Sequence, residues 1–476
     1  MLTEVSTVQE PLPPQSLVGR VAPSPAGPLD DGDLGLPTPP LVPLSRWRTV
    51  LGLSRRQIEF VFRWQRELGE VFRVDGVIRG RPAITSHPDH VRSLFTADPV
   101  REAPSITAES PLLPIVGPNS VLTANGPRHL RQRKLLLPPF HGEAIERYAR
   151  MIADVTDREI DRWSISRPLA LAPRMQAITL DVIMAGILGI EGKPRPGSPE
   201  WGLRTAVKRL AVASTQPIGQ LGMLMNVGRD EPMGIMRAGL AILDRCAYAL
   251  IAARRRAADF ERRTDILSLI TRARTEDGEP LTDRELRDEL LTLVLAGFET
   301  TANQLAWTWE RLVRSPIAHE RLRDAVRSDS AADAHIDATI TESMRCRPVI
   351  PAIGRRVVVP WRLGDYAMPA GGPIVMSILL LHHRPDLYPD PFAFRPERWL
   401  DRKPGTYEWI PFGGGTRRCL GAALAMAEQR VVLRTMVDRL DIEAVEPEPE
   451  RARDRNVTMI PALGARVRIA SRRARA

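Results

Sequence analysis

Phe412-Gly413-Gly414-Gly415-Thr416-Arg417-Arg418-Cys419-Leu420-Gly421 runs directly into an apolar, helix-patterned segment from Ala422 to Leu440. The stretch sets a glycine-rich turn, two arginines and one cysteine just ahead of a helix start. A thiol near cations and near a helix N-terminus has its pKa lowered, and the thiolate is the form that ligates a metal. Cys419 is therefore the candidate metal ligand. Taken singly, a cysteine is more often a small buried apolar residue, and a triple glycine is only a flexible turn. A phosphate-cradling loop is the competing reading of glycine-rich sequence, but no Gly-Lys-Ser/Thr follows.

Spacing separates these readings. Phe412, Gly415, Arg417, Cys419 and Gly421 fill every fixed position of Phe-x-x-Gly-x-Arg-x-Cys-x-Gly, and Ala425 and Glu428 continue the pattern into the next helix. The loop resembles the haem-binding loop of the cytochrome P450 family. That resemblance implies a mostly α fold with smaller β-sheets, haem b as cofactor, and Cys419 as its iron ligand.

Three further segments carry the same resemblance. Thr282-x-x-Glu285 is a capping-box signature, and no proline follows until Pro316, so one long helix is expected over Asp283 to Arg314. Its middle reads Ala296-Gly297-Phe298-Glu299-Thr300-Thr301. Glycine and paired threonines weaken a helix interior, which alone would mean a tolerated kink. The cluster resembles the family's Ala-Gly-x-Asp/Glu-Thr-Thr box. The resemblance implies that Thr300 and Glu299 deliver protons to bound dioxygen and that Ala296 and Gly297 allow close approach to the porphyrin. His129 and Arg133 are four apart on a cationic helix and share one face; they resemble the pair that holds haem propionates, with Arg355, or its neighbour Arg356, as a third cation. Glu342-x-x-Arg345 with Pro396-Glu397-Arg398 resembles the buried network behind the haem, Trp399 standing where Phe is frequent. The resemblance runs from about Trp47 to about Ile469.

Composition is consistent with this reading. The 476 residues carry a net charge of +10, almost wholly from arginine, with 43% hydrophobic residues. Arginines are interleaved with acids rather than massed, so an acidic protein partner fits better than nucleic acid. Cys246, Cys346 and Cys419 are distant and odd in number, which argues for a reducing compartment over a disulfide framework. No signal region or bilayer-length apolar run appears, so a cytoplasmic chain without a membrane anchor is expected.

Residues 1–43, rich in Pro, Gly, Ser and Asp, read as a mobile leader before a single catalytic domain over 44–476. Met223, Leu224, Met225 and Val227 fall where the family has a lid. Leu112, Leu113, Val116, Leu293, Ile350, Ile353 and Met459 are the expected apolar lining of a substrate pocket. Val457–Pro461 and Ala465–Ile469 are expected to form a closing hairpin, and Arg472–Ala476 a frayed tail. Nothing resembling a flavin or ferredoxin module follows. Electrons are thus expected from a separate ferredoxin and ferredoxin reductase, docked near Arg131, Lys134, Arg418 and Arg430, to oxidise a lipophilic small molecule with dioxygen. Peroxide-driven or isomerising chemistry, and a haem-based sensor, are the alternatives; the Glu299-Thr300 pair counts against the first.

Overall fold

The computed structural model describes residues 21–29 and 35–475, apart from 77, 141–142, 191, 276–277, 456 and scattered positions between 214 and 228. Fifteen helices are named here in chain order: α1 (Arg46–Arg55), α2 (Gln57–Leu68), α3 (Pro88–Thr96), α4 (Leu113–Val116), α5 (Gly126–Leu136), α6 (Glu143–Ile160), α7 (Leu171–Leu188), α8 (Pro199–Ala213), α9 (Gly234–Arg255), α10 (Ile266–Arg272), α11 (Asp283–Leu312), α12 (Pro316–Ser328), α13 (Ala332–Cys346), α14 (Ile378–Leu381) and α15 (Ala422–Arg439). The strands are β1 (Ala26–Pro28), β2 (Phe72–Arg73), β3 (Ala83–Thr85), β4 (Pro168–Ala170), β5 (Ala352–Arg356), β6 (Trp361–Leu363), β7 (Tyr366–Met368), β8 (Pro373–Ser377), β9 (Leu440–Ala444), β10 (Ala452–Arg455), β11 (Thr458–Pro461) and β12 (Arg466–Arg472).

The expected long helix is present as α11, 30 residues and hence about 45 Å at ~1.5 Å per residue. Thr282 and Glu285 form both halves of the capping box, satisfying amide groups that the first turn cannot pair internally. The helix is buried nearly all round, polar residues such as Asp288, Glu289, Asn303 and Gln304 included, because it runs between the cores of the molecule. On one side Ala302, Leu305, Ala306 and Trp309 join residues of α6, α7, α13 and α15 in one core. On the other, Leu286, Leu290, Val294 and Phe298 join α7, α9 and α10 in a second. The apolar α7 is long enough to cross a membrane, but two-thirds of its window is buried against this core.

The sheets are small. One has the order β2-β3-β8-β5, with β3 and β8 parallel and the other pairs antiparallel. It carries Arg355 to the edge of the site and packs with α3 and Tyr388 as a third core. After β8 the chain turns directly into α14, where the Ser377 side chain accepts from the amide of Leu380.

Three expectations at the ends are corrected. Part of the leader is tied down: Ala26–Pro28 pairs with Trp361–Leu363, and the Ser24 amide donates to Asp89. A short backbone segment can be ordered by ladder bonds without an apolar face of its own, which composition does not reveal. The closing hairpin joins β10 to β11, whereas β12 pairs with β4 and β9. The tail is also anchored, with the Arg473 amide on the Arg439 carbonyl and Arg475 paired with Asp154 and Asp157.

Candidate active site

The cysteine loop is shaped by its glycines. Gly413 and Gly415 take φ values of +66° and +62°, a left-handed conformation that L side chains resist. A Cβ on Gly415 would lie 2.3 Å from the Phe95 carbonyl oxygen, and one on Gly414 equally close to the Phe95 ring. The loop is thus pressed onto the end of α3. The Cys419 amide closes it by donating to the Phe412 carbonyl at 2.9 Å, while the Phe412 ring stands edge-on to Trp409. The Gly421 amide donates to the sulfur of Cys419, just before the N-terminus of α15.

Two facts about Cys419 define its surroundings. Its side chain is exposed, yet desolvation pushes its thiol pKa up, against the lowering influence of the Gly421 amide, Arg133 and Arg418. A group can be both open to a small probe and remote from bulk water only if it faces an interior space. No Cβ neighbour lies within 4 Å of Gly421. Further along α15, Glu428 is fully enclosed, and burial raises its carboxyl well above the usual range.

Beside the cysteine loop stand three arginines and a histidine. His129 and Arg133 come from α5, Arg355 from β5, and Arg417 from the loop itself. Desolvation and the neighbouring charges of Arg417, Arg133 and Arg355 lower His129 to about 4. Burial lowers Arg355 to about 10, and burial with repulsion from Arg355 and Arg133 lowers Arg417 to about 10. Among the described residues none of the four meets a carboxylate. Arg133 donates to the Arg418 carbonyl at 2.7 Å, Arg355 to the Gly354 carbonyl at 3.1 Å, and Arg417 to the carbonyls of Leu122 and Ala124 and to Asn125 Oδ1. Arg356, the alternative to Arg355, turns outward to the Gly371 carbonyl at 2.7 Å.

Buried like charges without counter-ions are costly, so this cluster is built for an anion. A metal-bearing macrocycle with two carboxylates fits it: a thiol facing an interior space for the metal, and uncompensated cations for the acids. The contact of Asn125 with Arg417, at the end of the loop of residues 117–125, was not foreseen from the sequence. The loop is held to α11 by buried carboxylates: Asp288 accepts from the Asn119 amide at 3.1 Å and Glu289 from the Val121 amide at 2.8 Å. Asp288 and Glu289, set just before the apolar run from Leu290, were the available signal.

In the middle of α11, Ala296 is exposed although its helix is the core of the molecule. Thr300 Oγ1 donates to the Ala296 carbonyl one turn earlier at 2.7 Å. Glu299 points another way, to the β10–β11 hairpin, and desolvation raises its carboxyl pKa, opposed by Arg455 and Thr458. Gly297 also lies where α11 crosses α7. A Cβ there would lie 2.5 Å from Ile183 Cδ1, so this glycine serves the close crossing of α11 and α7.

Behind the loop, Glu342 accepts from Arg345 Nε at 2.9 Å and Nη2 at 2.8 Å, from Arg398 Nε at 3.1 Å and from Trp399 Nε1 at 2.8 Å. Glu342 and Arg345 are fully buried. The indole N–H explains why tryptophan suits position 399, since phenylalanine has no donor to offer.

The expected pocket lining divides. Leu112, Leu293, Ile350 and Ile353 are half-buried, but Leu113, Val116 and Met459 are packed into the interior. Leu113 and Val116 lie on α4, whose four residues are all buried, and Met459 alternates on its strand with Thr458, the residue that meets Glu299. Of the expected lid residues, Met223, Leu224 and Val227 lie outside the described residues, and Met225 is exposed. Two of the four docking cations are engaged by acids, Arg131 with Glu285 and Arg430 with Asp337, whereas Arg418 is exposed.

A thiol at a helix start, an anion-binding cation cluster and a threonine-bearing core helix define a site of the haem-thiolate kind. The sequence model of the cytochrome P450 family matches residues 37–467. A putative cytochrome P450 135B1 of Mycobacterium tuberculosis is 36% identical over 448 residues, covering 92% of each chain. A putative cytochrome P450 138 of Mycobacterium bovis is 36% identical over 420 residues, covering 87% of this chain and 92% of the relative. The solved structure of retinoic acid-bound cyanobacterial CYP120A1 superposes with a TM-score of 0.77 at 21% identity, over 92% of this chain and 100% of that one. The chain belongs to the cytochrome P450 family. It is an oxidoreductase, a haem monooxygenase that depends on dioxygen and on redox partners.

Proposed function

We propose that the chain holds haem b through Cys419 and hydroxylates or epoxidises an apolar small molecule in the cytoplasm, with electrons from a ferredoxin and its reductase. The carboxylate-free cluster of His129, Arg133, Arg355 and Arg417 beside an open but desolvated Cys419 carries this reading. The cations would hold the propionates, and the Gly421 amide with the N-terminus of α15 would hold the negative sulfur. Bound haem supplies the binding and reductive cleavage of dioxygen.

The chain's own part is proton supply and exclusion of water. Because the Thr300 hydroxyl spends its proton on the Ala296 carbonyl, its oxygen lone pairs remain to accept a hydrogen bond. Glu299, with a carboxyl pKa raised by desolvation, is suited to carry a proton from outside toward that hydroxyl. Leu112, Leu293, Ile350 and Ile353 offer an apolar surface without a charged anchor, which suits a lipophilic substrate.

The test is turnover with a ferredoxin and its reductase on a substrate found by spectral titration against lipophilic compounds. Thr300→Ala and Glu299→Gln should divert reducing equivalents to peroxide by tenfold or more, in line with the ~10²–10⁴ typical of positioned acids and bases. Unchanged coupling in both variants, or efficient turnover with peroxide alone, would contradict the proposal.

A further inference from the structure

The loop of residues 117–125, which carries the acceptors of Arg417, is fastened along its first half to the start of α11. Asp288 accepts from both the backbone and the side-chain amide of Asn119, at 3.1 and 3.0 Å, and Glu289 accepts from the Val121 amide at 2.8 Å. One turn further along the helix, Thr292 donates to the Ser120 hydroxyl at 2.6 Å. The fit is close: Gly117 has φ +85°, and a Cβ there would lie 2.3 Å from the Asp288 carboxylate. The second half of the loop turns to the cation cluster, where the Leu122 and Ala124 carbonyls and Asn125 Oδ1 accept from Arg417. The loop is thus a strap, clamped by two carboxylates at one end and gripping a guanidinium at the other. Among the described residues neither carboxylate bonds to the cluster itself.

We propose that Asp288 and Glu289 are positioning residues for Arg417, acting through the 117–125 strap to hold that guanidinium where a haem propionate binds. The proposal rests on Arg417 being a propionate ligand. A strap that lifts from α11 carries the Leu122 and Ala124 carbonyls with it, and the guanidinium then loses the acceptors that fix its direction.

One titration belongs to the clamp and gives the test its sign. Burial, with repulsion from Asp288 and Glu285 and against the Val121 amide, raises Glu289 to about 8. The charged groups around it are Glu285, Arg287 and Asp288 of its own helix, Arg131 of α5 on Glu285, and Asp244 of α9 on Arg287, with Tyr248 of α9 beside the last pair. Neither α4 nor the strap has a titratable side chain. Lifted into water, the Glu289 carboxyl returns to about 4.3, so rising pH favours the lifted strap from about 4.3 up to 8 and no further above 8.

Haem loss from ferric holoenzyme is measured by transfer to apomyoglobin across that range, for wild type and for Glu289→Gln, which keeps an oxygen for Val121 and cannot ionise. The wild-type rate divided by the variant rate should climb about tenfold or more between about pH 5 and pH 8 and level off above. Division removes the effect of His129, which both proteins share. A merely structural role would stabilise Glu289→Gln whether or not the guanidinium is present, whereas action through Arg417 requires the ratio to lose its pH dependence in an Arg417→Met background. Arg417→Lys, which keeps the charge but cannot span three acceptors, replaces Arg417→Met if the latter does not accumulate as holoenzyme. Asn119→Ala removes one bond to Asp288 and no cation, and should speed haem loss severalfold.

A ratio that does not change with pH, a pH dependence that persists in the position 417 background, or wild-type rates in Asn119→Ala overturns the role of the two carboxylates while leaving Arg417 as a propionate ligand. A position 417 variant that loses haem no faster than wild type overturns that ligand, and this proposal with it.

Discussion

Replacing Glu342 by glutamine keeps the shape of the side chain and removes one charge from an ion pair whose two members are both fully buried. The carboxylate accepts from Arg345, Arg398, Trp399 and the Arg395 amide. Arg345 is fully buried and retains the carbonyls of His382, Pro391 and Ala393, at 2.8, 2.7 and 3.0 Å, with Cys346 Sγ at 3.0 Å, all of them neutral. Breaking such a pair from one side costs about 3–5 kcal/mol, because a charge is left without its partner. The surviving carbonyls place Glu342→Gln near the lower end, about 3 kcal/mol. Each kcal/mol moves Tm by ~2–4 °C in a chain of 150–250 residues, and by roughly half that here, so calorimetry should show a fall of about 3–6 °C. The pair holds the Glu342 pKa down. Its contribution is therefore complete above the unfolded glutamate value, about 4.3, and is lost as pH falls through the folded value, so the gap to wild type should close under acid. A Glu342→Leu/Arg345→Leu double variant should be less destabilised than the sum of its single variants. Equal Tm values for Glu342→Gln and wild type near neutral pH, or strict additivity in the double variant, would refute the reasoning.

Other outcomes follow from the same geometry. Arg355→Met and Arg417→Met should each weaken haem retention, measured by transfer to apomyoglobin, on the order of ten- to a hundredfold, the value of a hydrogen bond to a charged group. Because an arriving anion must raise His129 from about 4, haem affinity should strengthen as pH is lowered through the higher pKa of the loaded protein. Gly415→Ala forces a left-handed φ and a clash with the Phe95 carbonyl, so haem content and Tm should both fall. Burial raises Glu289 to about 8, and its folded state thus loses stability as pH climbs from about 4.3 to 8. Glu289→Gln should accordingly melt higher than wild type at alkaline pH, with the advantage shrinking toward pH 5. Reduction by ferredoxin should slow with rising ionic strength and with Arg418→Glu, as checked by stopped-flow spectroscopy.

Local signals in the sequence carried most of this architecture. The capping box and the proline-free run marked α11 because both act within a few residues. The cysteine loop was legible because Gly415 and Gly413 need left-handed backbone at fixed spacing from the ligand. What escaped depends on contacts between distant segments. The contact of Gly297 with Ile183 of α7 is one such case, since helix crossings are set by side chains that share no sequence neighbourhood. The hairpin partner of β11 lies upstream rather than downstream, since strand pairing follows topology and not only alternation. Arg455 looked like any of many arginines, and only folding brings it to Glu299.

The central claim is a sulfur bond from Cys419 to haem iron. The direct measurement is the absorption spectrum of the reduced holoprotein under carbon monoxide, for wild type and for Cys419→His. Wild type should show the strongly red-shifted Soret band of an axial thiolate, and Cys419→His, if it keeps haem through the cation cluster, should show the band of an imidazole-ligated haem. A red-shifted band that survives the loss of Cys419, or wild-type protein that takes up no haem, would contradict the account.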